Sequence, residues 1–192
     1  MAITKGHEVI CCDRNRRGGL KNIWLMEKDN LTATPVYAAA TNEYTSFPTI
    51  LLYQFDFDRG TGGFNANASR ENGSTIITVE LIFYVPKVTP AVNLVLDELA
   101  ASCGLFAICE TYADDCASPA LTYKFVLGYD QIFESSAYLE FTSGEETTGL
   151  ALQDANGTNV TLTGEQAEYP IGLGSAATMT PGTLYTDAWT VI

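Results

Sequence analysis

Residues 54–58 and 64–69 alternate apolar and polar side chains, the pattern of β-strands that bury one face and leave the other exposed to water. After the second of these segments, Asn72-Gly73 is a strong signal for a tight hairpin turn. The residues after it are rich in the β-branched and aromatic side chains that favour strands. The pattern therefore predicts a meander of three long strands, over Thr49–Asp58, Phe64–Arg70 and Thr75–Val85.

A helical pattern interrupts the strands in the middle of the chain. Pro90 suits the first turn of a helix, and Thr89 is a good N-cap residue directly before it. Gly104 suits the C-terminal cap. Apolar side chains recur at helical spacing, at Val92, Val95, Leu96, Leu99 and Cys103. We expect one amphipathic helix of about three to four turns lying on a sheet face.

Strand-like segments resume after this helix and continue towards the C-terminus. They are predicted at Leu105–Tyr112, Leu121–Tyr129, Ile132–Thr142, Leu150–Gln153, Asn159–Thr163 and Glu168–Gly174. The expected fold class is mainly β with one mid-chain helix, built from two antiparallel sheets packed as a sandwich or partly closed barrel. The 192 residues are expected to form one domain with terminal arms at 1–19 and 175–192.

Charge is distributed unevenly along the chain. All ten Lys and Arg lie at or before Lys124, and six of them fall in the first 28 residues, whereas residues 125–192 contain nine acids and no base. Complementary charge of this kind can set register between stacked copies of one protein. The net charge of -13 argues against binding DNA through its phosphates.

No pattern in the sequence points to catalysis, so the chain is not expected to be an enzyme or to hold a cofactor or metal. The single histidine, His7, lies in the expected N-terminal arm. The five cysteines are an odd number without a CxxC pair, which favours reduced thiols. The paired acids are interpreted as solvated surface residues; they are Asp56/Asp58, Asp114/Asp115 and Glu145/Glu146.

The sequence also gives no reason to expect a membrane span or a secretory signal. The longest apolar run, Ser74–Val85, is shorter than a membrane span and contains Glu80, so no span is expected. The first residues lack the apolar core and cleavage site of a secretory signal.

Three short segments carry a resemblance to phage tail tube proteins, and to structural proteins from phages of Bacteroidetes-type hosts. They are Arg17–Trp24, Phe141–Gly144 and Asp154–Thr158. The order of strands, helix and strands is also similar to that family. The resemblance implies a virion protein, made in the host cytoplasm, that forms hexameric rings stacked into a hollow conduit for DNA. Its implied partners are copies of itself and other tail proteins, namely the tape measure, tail tip, sheath or terminator.

In such tubes a long-stranded sheet of each subunit lines the channel, and loops and arms reach the next ring. An acidic lumen would repel DNA phosphates and let the polymer slide without specific binding. The expected lumen-facing residues are Gln54, Asp56, Asp58, Asn65 and Asn67. The expected contacts between subunits are Arg14, Arg16, Arg17, Lys21, Tyr185 and Trp189.

Other protein classes share these sequence features. A head–tail connector or capsid decoration protein has the same composition and would form rings without stacking, or bind capsids. A surface adhesin, pilus subunit or carbohydrate-binding module would fit the abundance of Thr, Asn and Tyr. Glycan binding, or a strand exchanged between subunits, would distinguish this last group.

Overall fold

The computed structural model describes residues 18–47, 52–71, 73–115, 118–149 and 154–178. Both predicted arms therefore lie largely outside the described residues. The elements of the first half are β1 (Leu20–Glu27), a 3-10 turn (Lys28–Asn30), β2 (Val36–Ala38), β3 (Glu43–Ser46), β4 (Tyr53–Phe55), β5 (Gly63–Glu71) and β6 (Ser74–Pro86). They are followed by α1 (Pro90–Ala101), β7 (Leu105–Asp115), β8 (Ser118–Leu127), β9 (Leu139–Thr147), β10 (Gly157–Gln166) and β11 (Ile171–Thr178).

The prediction of a mainly-β fold with one mid-chain helix is confirmed. The strands form one hydrogen-bonded sheet that is not closed into a barrel, rather than two separate antiparallel sheets. It has two distinct halves. The antiparallel half has the order β9-β10-β6-β5, and the mixed half has the order β4-β1-β7-β8-β11-β3-β2. The mixed half includes a parallel pair, because β3 runs alongside β11 with Tyr44 opposite Leu173.

The two halves are joined through one pair of residues, Leu105 in β7 and Leu139 in β9. The main hydrophobic core lies between the halves and draws on β1, β4, β6, β7, β9, β10 and α1. This packing of one half over the other resembles the predicted sandwich, although the hydrogen-bond ladder is continuous.

A second core lies on the other face of the mixed half. Neighbouring residues of β7 alternate between the two cores: Ala107 belongs to the first, and Phe106 and Ile108 belong to the second. The second core is rich in edge-to-face aromatic contacts, centred on Tyr44, Phe47 and Tyr129. Because both faces are buried, β7 and β1 are central strands of the fold.

The helix follows the signals in its sequence closely. The Thr89 side chain accepts a hydrogen bond from the Val92 N–H at 3.2 Å, and Pro90 occupies the first turn. Val92 and Leu99 bury one face against the main core. The helix ends at Ala101, and its C-cap is Ser102, whose N–H donates to the Leu99 carbonyl, rather than Gly104.

Two connections differ from the predicted pattern, and a third predicted element cannot be compared. The segment after Asp130 turns before β9 begins, because the Asp130 carboxylate accepts hydrogen bonds from the N–H groups of Ile132 and Phe133. The segment between Thr32 and Phe47, for which no strand is predicted, contains β2 and β3. The predicted strand at 150–153 lies outside the described residues, and the observed partner of β10 across the turn is β9.

Candidate assembly surface

The antiparallel half has one face that points away from the main core, here called the outer face. Its side chains follow from the strand register. One row across the four strands consists of Asn65, Glu80, Thr163 and Glu140. The next row on one side contains Asn67 beside Thr78 and Glu165. The second row on the other side, beyond the row of Ile82 and Thr161, contains Tyr84 beside Asn159 and Glu145.

Polar contacts tie this face together across the strands. The Asn65 amide donates to the Glu80 carboxylate at 3.4 Å, and the hydroxyls of Thr142 and Thr163 hydrogen-bond to each other. Ile76, Ile82 and Tyr84 are half-buried on the same face. The outer face is therefore an ordered, mostly polar surface.

The charged side chains described on the outer face all carry negative charge. Its described residues include four carboxylates and no Lys or Arg; the carboxylates belong to Glu80, Glu140, Glu145 and Glu165. Three of these four are exposed, and Glu80 is half-buried. The surface formed by these described residues is therefore acidic.

Both outer edges of the antiparallel half are open among the described residues. The edge strand β5 pairs only with β6, and β9 pairs with β10 and, beyond that, only through Leu139. Both edge strands are nine residues long. Open edges present unpaired N–H and C=O groups that are ready to accept another strand.

The five residues predicted to face a lumen are all exposed, but they do not share one surface. Asn65 and Asn67 lie on the outer face. Gln54 lies on β4 in the mixed half, and its amide donates to Asp56 at 3.4 Å. Its neighbour Phe55 points into the main core, so Gln54 points away from that core on the opposite side of the molecule.

Asp58, the fifth of these residues, follows β4 in the loop that leads to β5. Its backbone N–H donates to the Tyr84 carbonyl at 3.4 Å. It therefore lies at the border of the antiparallel half rather than beside Asn65. The even spacing of Asp56 and Asp58 suggested a shared face, but β4 ends at Phe55 before the alternation reaches them.

Of the residues predicted to contact other subunits, only Lys21 lies within the described ranges. Arg14, Arg16, Arg17, Tyr185 and Trp189 lie outside them. The Lys21 ammonium is 3.1 Å from a carboxylate oxygen of Glu110 within the same chain. Its side chain is half-exposed, which places the ion pair at the surface end of the β1–β7 ladder.

Glu110 is a buried carboxylate at the centre of a small polar network. It accepts hydrogen bonds from the Asn22 amide at 2.5 Å, from Lys21 and from the Thr122 hydroxyl. Burial alone would raise the pKa of Glu110, but the hydrogen bonds from Thr122, Asn22 and Lys21 outweigh burial and lower it. The network joins β1, β7 and β8.

We expect the stability of the protein to fall in acid partly because of Glu110. A carboxyl whose pKa is lowered by folding stabilises the native state above its unfolded pKa of about 4.5, and loses that effect as the pH falls through the native value. Urea unfolding between pH 3 and pH 7 should therefore show a weaker pH dependence in Glu110→Gln than in the wild type. At pH 7 the variant should lose about 2 kcal/mol.

Glu165→Gln is the matched control for this measurement, because Glu165 is exposed. It should retain the pH dependence of the wild type. Equal acid sensitivity in Glu110→Gln and the wild type would show that other carboxylates cause the effect.

The sequence pattern located β5, β6 and part of β10, overlapped β9 only at 139–142, and did not identify the carboxylates of the outer face. The signal was present: Glu80 alternates with Val79 and Leu81, and Thr163 and Glu165 follow the same alternation after Leu162. Glu140 and Glu145 gave no such signal, because a register shift in β9 interrupts their alternation.

The described residues show no sign of a metal centre or a membrane-spanning helix. Within these ranges no three His, Cys, Asp or Glu side chains are grouped to hold a metal ion. None of the helices there combines the length and hydrophobicity needed to cross a bilayer. No family model, curated protein or solved structure matches the chain.

Proposed function

We propose that this chain is a virion structural protein, a tail tube subunit that assembles into rings stacked around a channel for DNA. One observation supports the proposal: among the described residues, the antiparallel half combines an acidic outer face without Lys or Arg with two open edge strands of equal length. In a ring, the unpaired backbone groups of both edge strands can form hydrogen bonds, because β5 of each subunit pairs with one neighbour and β9 pairs with the other.

The strand order determines the relative direction of β5 and β9 where two subunits would meet. Neighbouring strands in the order β9-β10-β6-β5 are all antiparallel, so β5 runs opposite to β9. Rotation about a ring axis keeps the direction of every strand along that axis. β5 of one subunit therefore meets β9 of the next in the antiparallel sense, and the alternation continues around the ring.

The outer face then lines the channel. Its carboxylates, repeated in every subunit and every ring, produce a negative field that repels DNA phosphates. The residues that face the lumen in this arrangement include Asn65, Asn67, Glu80, Glu140 and Glu165. Gln54 and Asp56 lie on the other side of the core and face outward.

The uneven distribution of charge supports stacking of the rings. Most bases precede residue 29, and the last third of the chain has acids alone. Attraction between the basic N-terminal segment of one ring and an acidic surface of the next would orient the rings. In a virion, the ends of such a tube would contact other tail proteins.

Negative-stain electron microscopy of the native-length protein across a concentration series tests this function. Tubes or stacked rings with a central hole are the expected result. Rings that do not stack would favour a connector or decoration protein. A monomer at every concentration, also in the presence of a nucleating tail tip, would contradict the proposal.

The orientation of the subunit in the tube can be tested with a matched pair of charge reversals. Glu140→Lys places bases in the proposed lumen, and Asp56→Lys makes the same change of charge on the opposite side. Short duplex DNA should be retained only by tubes of Glu140→Lys, and the retention should weaken as salt is added. Retention by Asp56→Lys alone would show that the mixed half lines the channel.

A further inference from the structure

A cleft of about 550 Å³ lies between the segment after β1 and the loop before β9. Lys28, Asp29 and Thr34 line one wall, and Glu134, Ser135 and Ser136 line the other. Tyr129 lies at the floor and is almost fully buried. This volume is within the range of sites that bind small molecules.

The first wall is held in place by specific packing. The Lys28 N–H donates to the Gly104 carbonyl at 3.0 Å, and the Lys28 ammonium lies 4.2 Å from the centre of the Tyr138 ring. Gly104 makes this packing possible, since a Cβ atom there would lie 2.8 Å from the Tyr138 ring. Any larger residue at this position would push Tyr138 out of place.

The opposite wall is braced by its own hydrogen bonds. The fully buried Asp130 carboxylate accepts hydrogen bonds from backbone N–H groups at the start of the loop. The Ser136 N–H donates to the Phe133 carbonyl at 2.9 Å. Glu134 has a φ of 51°, a left-handed conformation that costs energy in a residue with a side chain. The cleft is therefore preformed, and the loop holds Glu134 in a strained conformation at its rim.

The chemistry of the lining selects among ligand classes. Most of the polar side chains that line the cleft carry hydroxyls. The charged groups in the lining are the Lys28 ammonium and the carboxylates of Asp29 and Glu134. Burial, with the nearby carboxylates of Glu134 and Asp130, raises the pKa of Tyr129, so its hydroxyl stays protonated and can donate. Phosphates and other anions are disfavoured by these carboxylates and by the net charge of -13.

We propose that this cleft binds a neutral saccharide. A sugar carries many hydroxyls that both donate and accept, which suits walls of Thr, Ser and Tyr hydroxyls flanked by carboxylates and one ammonium. None of the residues lining the cleft belongs to β5 or β9, so saccharide binding and ring assembly can be measured separately.

Saturation-transfer NMR on the native-length protein tests the site. The probes are a panel of neutral mono- and disaccharides and a glycan array, with inorganic phosphate and spermidine as the anionic and cationic alternatives. We expect at least one neutral saccharide to bind, and phosphate and spermidine to give no competing signal. No binding by any saccharide in the panel or array would overturn the proposal, as would binding of spermidine or phosphate alone.

Two variants locate the binding to the cleft. Ser136→Trp and Thr34→Trp fill it from opposite walls, and each should weaken saccharide binding about tenfold or more. Ala91→Trp is the control, because Ala91 is an exposed residue of α1 outside the cleft. Circular dichroism checks that each variant is folded, and the use of both walls retains the test if one variant is not. Unchanged affinity in the folded filling variants would show that the saccharide binds elsewhere.

Discussion

Gly128→Ala should lower the free energy of unfolding by about 3 kcal/mol, because the substitution adds backbone strain and a steric clash together. Gly128 has a φ of 82°, in the left-handed region. A Cβ atom there would lie 2.8 Å from the Leu105 carbonyl oxygen and 3.1 Å from the Leu139 nitrogen. These two residues form the pair that joins the halves of the sheet.

Rotating the Leu139 side chain cannot relieve the clash at Gly128, since the nearest contact of the added Cβ is the Leu105 backbone carbonyl oxygen at 2.8 Å. The backbone must move at the one place where β7 meets β9. We therefore expect the substitution to loosen the packing of the two halves over the main core as well as to strain the turn. Urea unfolding of the dilute protein, followed by circular dichroism, measures the effect.

Gly60→Ala is the matched control, because Gly60 also has a positive φ of 86° but has no atom within 4 Å of the added Cβ. It should lose only about 1 kcal/mol, the cost of the backbone conformation. A loss in Gly128→Ala no larger than in Gly60→Ala would mean that the junction between the halves tolerates the extra carbon.

Proline at the edge strand β9 should abolish assembly without unfolding the subunit. Backbone N–H groups of neighbouring residues in a strand point to opposite edges. Of Glu145 and Glu146, one therefore directs its N–H to β10 and the other directs it to the open edge. Proline removes the N–H and prevents pairing on that side.

Glu145→Pro and Glu146→Pro form a matched pair, because each removes one exposed carboxylate and one N–H. The variant that loses a bond to β10 should be less stable by about 2 kcal/mol. The other should keep the stability of the wild-type monomer but form no rings by electron microscopy or sedimentation. Normal tubes from the variant with wild-type stability would exclude β9 as the joint between subunits.

The local elements of this protein follow from local sequence signals. Thr89 and Pro90 start the helix where the pattern predicts, and β5 pairs with β6 as the predicted hairpin requires, up to Glu71 opposite Ser74. The alternation in β6 separates its buried residues from its outer ones, so that Leu81 enters the main core while Glu80 stays on the outer face. These features depend on residues close together in the chain, which a pattern can reveal.

Local sequence signals did not predict which distant segments pair with each other. β3 and β11 lie far apart in the sequence and pair in parallel, and no short motif predicts that pairing. The loop between β4 and β5 carries the chain from one half of the sheet to the other, and this separates Gln54 from Asn65 although both belong to alternating strands. The cleft between Lys28 and Ser136 likewise joins segments that are distant along the chain.

The mainly-β class and the helix can be read from the chain alone, because periodicity and capping are local properties. Which strands became neighbours, and therefore that Asn65, Glu80, Thr163 and Glu140 form one row, emerged only in the folded molecule. Strand pairing must bury two cores at once, so it depends on all the strands together rather than on any one segment.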